Sequence, residues 1–317
     1  MAWAVAHALA VVATYLTTNE RQLCASTCKL WSGILKMEWR GRAHHWNMAA
    51  TAANVIDVVN QCGQCRSKKR IWSYKQAQTL GNDLYFVASG IRLSCLVDCM
   101  NLTAAAATTL LAVLTKAFPA FAHVVTLLID DNVFYVHRLH FIQAKLVDIA
   151  YNASNLELVN IAKPHANSVP TICLDASPST VHFLRSLVSS LAMIPPPSAL
   201  DLTTITPSLP PTAVAGLVLN YPVVYTFSSQ PPPPTDNALA MQPLVVFELV
   251  ISDVNTGHTH SLVKYSLPQL LVTHPNHVAV MRANLLVACR RHILHHEATS
   301  STMSVHVTTI TLSSVAL

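Results

Sequence analysis

Apolar residues recur along this chain with two different periods. Leu9, Val12 and Leu16 fall on one face of a helix, and Leu23, Thr27, Leu30 and Ile34 on one face of a second, because positions three and four apart stack on the same side. The polar break at 17–21 separates the two, and Thr18 or Asn19 is placed to cap the second by accepting from an unpaired amide of its first turn. From Leu93 onward the pattern changes. Short apolar runs at Leu93 to Asp98, Val124 to Asp130, Leu156 to Ile161 and Leu200 to Ile205 predict strands. They alternate with helical stretches at Ala104 to Ala117, Leu139 to Tyr151 and Thr180 to Met193. The first three strands follow one another at about 30 residues, a step in the range of solenoid repeats. Further on, Leu244 to Ile251 reads as a strand, His277 to His296 as a long helix and Val305 to Leu312 as a last strand.

Proline punctuates the region after residue 194. Pro195 to Pro197, Pro207, Pro210-Pro211 and Pro231 to Pro234 exclude helix interiors and central strands there. The run at 230–235 is expected as a stiff, extended loop. The resulting division is an N-terminal helical module at 1–46, a linker with a basic segment at 47–90, strand–helix repeats at 91–206 and an irregular C-terminal cap at 207–317.

Two short patterns carry a family likeness. Cys28-Lys29-Leu30-Trp31, preceded by apolar residues at helical spacing and followed by Trp39-Arg40, resembles the F-box, a helical adaptor module. Val124-x-x-Leu127-x-Ile129-x-x-Asn132, with partial matches at Leu93-x-x-Leu96 and Leu156-x-Leu158-x-x-Ile161, resembles a degenerate leucine-rich repeat, in which Asn132 would satisfy backbone groups in the turn after the strand. The resemblance implies an α/β fold, an F-box-like helical module followed by a leucine-rich-repeat-like solenoid. It also implies that Leu9, Val12, Leu16, Cys28, Trp31 and Ile34 face a Skp-type adaptor protein of a cullin ubiquitin ligase. The concave face of such a solenoid, lined by its strands, would present Ser94, Val97, Thr126, Leu128, Glu157, Val159, Asp201 and Thr203 to a protein partner. Family members open on a Leu-Pro step and an acidic residue, where this chain has Ala4-Val5 and His7. A second reading follows from that departure: a permanent subunit of a large assembly, such as a cytoskeletal lattice or a ribosome, with neighbouring subunits as its partners.

Composition sharpens the choice between these classes. Charged residues make up 11% of the 317 and hydrophobic ones 52%, against roughly 25% and 45–50% in ordinary soluble domains. A surface so poor in charge is expected to be covered by a membrane or a large protein assembly, or to be built unusually from Thr, Ser, His and Asn. No run reaches the roughly 20 uninterrupted apolar residues of a spanning helix, and no Lys or Arg precedes the apolar N-terminal run; an intracellular protein, cytoplasmic or cytoskeletal, is expected. The net charge of +5 is partly local, in Arg66, Lys68, Lys69 and Arg70 beside Trp72 and Tyr74. Such a patch can serve single-stranded nucleic acid, although a solvated loop explains it more simply. Cys62 and Cys65 have the spacing of a zinc turn but no evident second pair, His44 and His45 completing it only if the chain folds back. Cys289, His292 and His296 share a helical face that coincidence explains more simply in a chain with 16 histidines. Eight cysteines without a secretory leader read as free thiols. No Gly-rich phosphate loop, Gly-x-Ser-x-Gly elbow or His-Glu-x-x-His motif occurs in the sequence, so a non-catalytic, cofactor-free protein is expected.

Overall fold

The computed structural model describes residues 48–63, 72–150, 157–161, 170–173, 177–195, 198–203, 209–226, 239, 241–253, 259–272, 275–293 and 301–312. The F-box-like positions Leu9, Val12, Leu16, Cys28, Trp31 and Ile34 lie outside them, as do Cys65, the basic run at 66–70, the proline loop at 230–235 and His296.

A four-stranded sheet forms the centre. Its strands are β1 (Ser94–Leu96), β2 (Val124–Ile129), β3 (Asn132–His137) and β6 (Ala199–Asp201), in the order β1-β3-β2-β6. β2 and β3 are an antiparallel hairpin closed at Asp130-Asp131, and β6 runs parallel to β2. Asp130 adopts φ 51 there, a left-handed conformation that aspartate tolerates better than most residues. Side chains alternate across this sheet, as strand geometry requires. Val125, Leu127, Ile129, Phe134 and Val136 enter one core, while Val124, Val133, Tyr135 and Cys95 enter another on the opposite face. Burial on both sides explains why β2 is apolar at every position but Thr126.

Helices cover both faces. On one side lie α1 (Met48–Cys62), α2 (Tyr74–Ala88) and α3 (Ala104–Ala117), and on the other α4 (Arg138–Ala150), α5 (Pro178–Met193) and α6 (Pro211–Val218). Several of these helices announce their own beginnings. Ser73 and Gln76 form a reciprocal capping box on α2, and Thr103 and Ser177 accept from Ala106 and Thr180 at the starts of α3 and α5, each supplying an acceptor to an amide that has no partner within the helix. α1 and α2 approach closely at Gly81, where an added Cβ would sit 2.8 Å from the Ile56 Cα.

A second sheet, β5-β4-β7, comprises β4 (Glu157–Asn160), β5 (Thr171–Cys173) and β7 (Val223–Thr226), with β4 and β7 parallel. It is a wall between two cores: Leu158 and Val224 face the first, Val159 and Val223 a third. That third core is built on the C-terminal sheet, β10-β8-β9, made of β8 (Pro243–Asp253), β9 (Thr259–Pro268) and β10 (Ser301–Thr311), with α7 (Pro275–Ile293) packed on β8 and β10.

The α/β class and the positions of most anticipated elements match the expectation, while their arrangement differs. Four of the anticipated strands coincide with β1, β2, β4 and β6, but among the described residues these do not pair successively in one parallel ladder: β1 and β2 are separated by β3, and β4 belongs to another sheet. The repeat template assigned Asn132 to a turn, whereas Asn132 is exposed and opens β3. The segment taken as a linker, 47–90, contains α1 and α2, which supply Val55, Val59, Ala77, Leu80 and Leu84 to a core. The boundary expected at 206/207 is crossed by α6 and β7, which fill the same core as α4 and α5, and the expected irregular cap contains the longest strands of the described chain.

Candidate functional site

Some of the polar groups inside the fold are held by short contacts, while others, the Thr126 hydroxyl among them, are buried without a hydrogen-bond partner. Lys145 of α4 is fully buried; its Nζ lies 2.9 Å from Asp148 Oδ2 and donates to Asn220 Oδ1 at 2.7 Å. Asn220 sits at φ 57 in the turn between α6 and β7, so one ammonium joins a helix to a turn far away in sequence. The Tyr135 hydroxyl donates to the Ala107 carbonyl at 3.0 Å, and burial drives its phenol well above the ordinary range. These groups stabilise packing and open onto no described cavity.

A second cluster joins the central half to the C-terminal sheet. Asp83 of α2 accepts from Arg92 at 2.7 Å and lies 3.4 Å from His260 Nε2 of β9, whose ring stacks on Phe86 with centroids 4.8 Å apart. The contact is a clamp between α2 and β9. His123, His137 and His140 gather at the end of β3, with ring centroids 6.0 and 4.1 Å apart. The His140 amide donates to His137 Nδ1 at 3.3 Å, which requires that nitrogen to be unprotonated. Among the described residues no three His, Cys, Asp or Glu side chains are arranged to hold a metal ion. Cys62 is half-buried, and desolvation raises its thiol; Cys95 and Cys99 are raised by burial and by neighbouring carboxylates, Cys99 to about 11. Protonated thiols of this kind are poor nucleophiles. Trp72, expected beside the basic run, is buried, while Tyr74 is exposed.

The residues expected on a concave partner face are not brought together on one surface. Ser94, Thr126 and Val159 are buried. The Ser94 hydroxyl donates to the Val218 carbonyl at 2.6 Å, and Val159 belongs to the third core. Val97 and Leu128 pack against the core formed by α1 to α3. Glu157 pairs through its backbone with Val223. Asp201 and Thr203 are exposed, but the Asp201 carboxylate accepts from the Thr203 amide and hydroxyl at 2.9 and 2.6 Å, which lowers its pKa. The cause is the covering of both faces of the central sheet, where a repeat reading expected one face to be open.

Exposed apolar surface concentrates elsewhere. Met241, just before β8, is 70% exposed; Leu270, just after β9, is 61% exposed; Leu312, just after β10, is 40% exposed. All three stand at one end of the C-terminal sheet, where Pro243 pairs with Thr311 and Leu244 with Pro268. The Met241 amide donates to the Leu312 carbonyl at 2.7 Å, and Met241 holds φ 59, a conformation that costs a side-chain-bearing residue about 1–2 kcal/mol. Sequence reading missed this group, since it arises only when the three strand ends are aligned.

Residues 61–317 match the family described as a domain of unknown function, DUF4504. The chain belongs to the DUF4504 family. The match takes in α2 to α7 and all three sheets, while most of α1, which supplies Val55 and Val59 to one core, precedes the matched span. No curated protein and no solved structure matches the chain. Among the described residues of this DUF4504 member no helix is long and apolar enough to cross a membrane.

Proposed function

We propose that the protein is a non-catalytic protein–protein interaction adaptor whose folded body presents the end of the C-terminal sheet to a protein partner. The observation that carries this reading is the gathering of Met241, Leu270 and Leu312 at one sheet end. Single exposed apolar residues are ordinary on a soluble surface, whereas a group of them, one in a strained backbone conformation, marks a place where another surface excludes water. A surface of this chemistry suits an apolar protein face better than a phosphate backbone. In this reading the strand–helix units that resemble leucine-rich repeats act as scaffold. The N-terminal segment supplies the second contact: Leu9, Val12, Leu16, Cys28, Trp31 and Ile34 engage a Skp-type adaptor in the manner of an F-box.

A second reading is a permanent subunit of a large assembly. It is favoured by the 11% charge of the whole chain and by Ala4-Val5 and His7 at the opening of the F-box-like segment. One experiment separates the two. The full-length tagged protein is purified from its own cells, beside a variant carrying Met241→Glu, Leu270→Glu and Leu312→Glu. The adaptor reading expects Skp and cullin homologues with the wild type, plus a further partner lost in the variant. Recovery in a large particle without Skp or cullin homologues favours the subunit reading, and a partner set unchanged by the three glutamates removes the sheet end from both.

A further inference from the structure

The two edges of the C-terminal sheet are built differently. β9, on one edge, carries Lys264 and Pro268, is broken in register by a bulge at Leu249/Val250, and receives the Tyr225 hydroxyl of β7 on its Ser266 carbonyl at 2.9 Å. These are the devices that keep an edge strand from recruiting another strand: charge, proline, a bulge and local cover. β10, on the opposite edge, has no charge, no proline and no bulge, although α7 packs on it. It is 11 residues long, pairs with β8 without interruption from Ser301↔Asp253 to Thr311↔Pro243, and has no charged residue and no proline between Ser301 and Thr311. Among the described residues β8 is its sole strand partner. Every second residue of such a strand turns its amide and carbonyl away from β8, a row that has no strand partner among the described residues.

We infer that β10 pairs antiparallel with β10 of a second copy of this chain, about a two-fold axis at His306, joining two three-stranded sheets into one of six. The choice of occupant comes from the edge itself. In the register that uses its whole length, Ser304 faces Thr308 of the second copy, Val305 faces Val307 and Met303 faces Thr309. His306 faces His306 on the axis, no Lys, Arg, Asp or Glu meets its like, and Ser–Thr pairs are among the combinations that favour cross-strand contact. An edge with no charge of its own is complementary to itself, and an isologous contact of this kind closes after two copies. This pairing uses the side of the sheet and is independent of the partner proposed at its end.

Ser304 and Thr308 are exposed, so charges introduced there leave the fold intact. Analytical ultracentrifugation of the full chain reads the outcome. The wild type is expected to sediment as a dimer. Ser304→Lys with Thr308→Lys places two lysine pairs directly opposite each other across the axis and raises the dimer dissociation constant by about tenfold or more, with unchanged circular dichroism. Ser304→Lys with Thr308→Glu puts opposite charges face to face and restores the dimer. A wild type that sediments as a monomer at high micromolar concentration overturns the proposal. So does a lysine–lysine variant that dimerises as the wild type does, or a lysine–glutamate variant that stays monomeric. A monomer that still recovers its partner through the sheet end sinks this pairing alone, and a dimer that recovers none sinks the partner reading alone.

Discussion

The central sheet and the C-terminal sheet are both made of apolar strands, yet they are put to opposite uses. In the centre, strands of three to six residues are covered on both faces by helices, and even Ser94 and Thr126 are sealed from water. At the C-terminal end, strands of 10 and 11 residues keep one long edge and one end open, with threonine and serine where charge would be expected. A short strand enclosed on all sides is worth its burial, whereas a long uncharged edge is a standing template for another polypeptide. Low overall charge therefore has two sources in this protein, a doubly covered middle and long C-terminal strands built largely from threonine, serine and valine.

Substitutions should separate those two roles. The largest effect is expected in the centre: Phe134→Ala removes a fully buried ring from β3 and should cost about 3–5 kcal/mol in chemical denaturation; a loss below about 1 kcal/mol would mean that the central sheet is not the core. Lys145→Met takes the ammonium away from Asp148 and Asn220 and should cost about 3 kcal/mol, whereas a neutral result would show that packing of the α4 stem outweighs the ion pair. Thr126→Val, by contrast, should stabilise by about 1 kcal/mol, because the Thr126 hydroxyl is buried without a hydrogen-bond partner. A smaller change is expected from pH. The Cys99 thiol is raised to about 11 from an ordinary value of 9.0, so the unfolded chain loses its proton first. The stability Cys99 contributes is complete below pH 9 and declines as pH rises toward 11, and Cys99→Ala should flatten that part of an alkaline denaturation curve. At the sheet end, Met241→Gly relieves a left-handed residue while adding freedom to the unfolded chain. These nearly cancel to within about 0.5 kcal/mol, while partner recovery should fall; unchanged recovery would close the contrast between the two sheets.

Local features of the fold were legible in the sequence, and long-range ones were not. Ala104 to Ala117 reads directly as a helix, and α3 has those bounds, behind a Thr103 cap that the sequence reading did not single out. The runs that became β1, β2, β4 and β6 are apolar because they are buried, but burial does not say which strand lies beside which. β3 escaped because the repeat template assigned Asn132 to a turn, although Val133 to Val136 is as apolar as any strand in the chain. α2 was hidden by the neighbouring basic run, yet Ser73-x-x-Gln76 is the capping-box signature that marks its start. Thr126 and Val159 alternate with buried neighbours and so read as open positions; only the helices on the second face reveal that they are enclosed. The Lys145 and Asp148 pair is visible at its helical spacing, while its burial and its reach to Asn220 depend on a turn 75 positions away.

The middle wall formed by β4 and β7 has a consequence for how the molecule can be divided. Because Leu158 and Val224 seal one core and Val159 and Val223 another, the strands before and after residue 206 are halves of a single partition. Severing the chain there would not release two modules; it would give two complementary fragments, each lacking the surface that keeps the other dry. Loss of either would expose both interiors at once, so the two halves are expected to fold and unfold together.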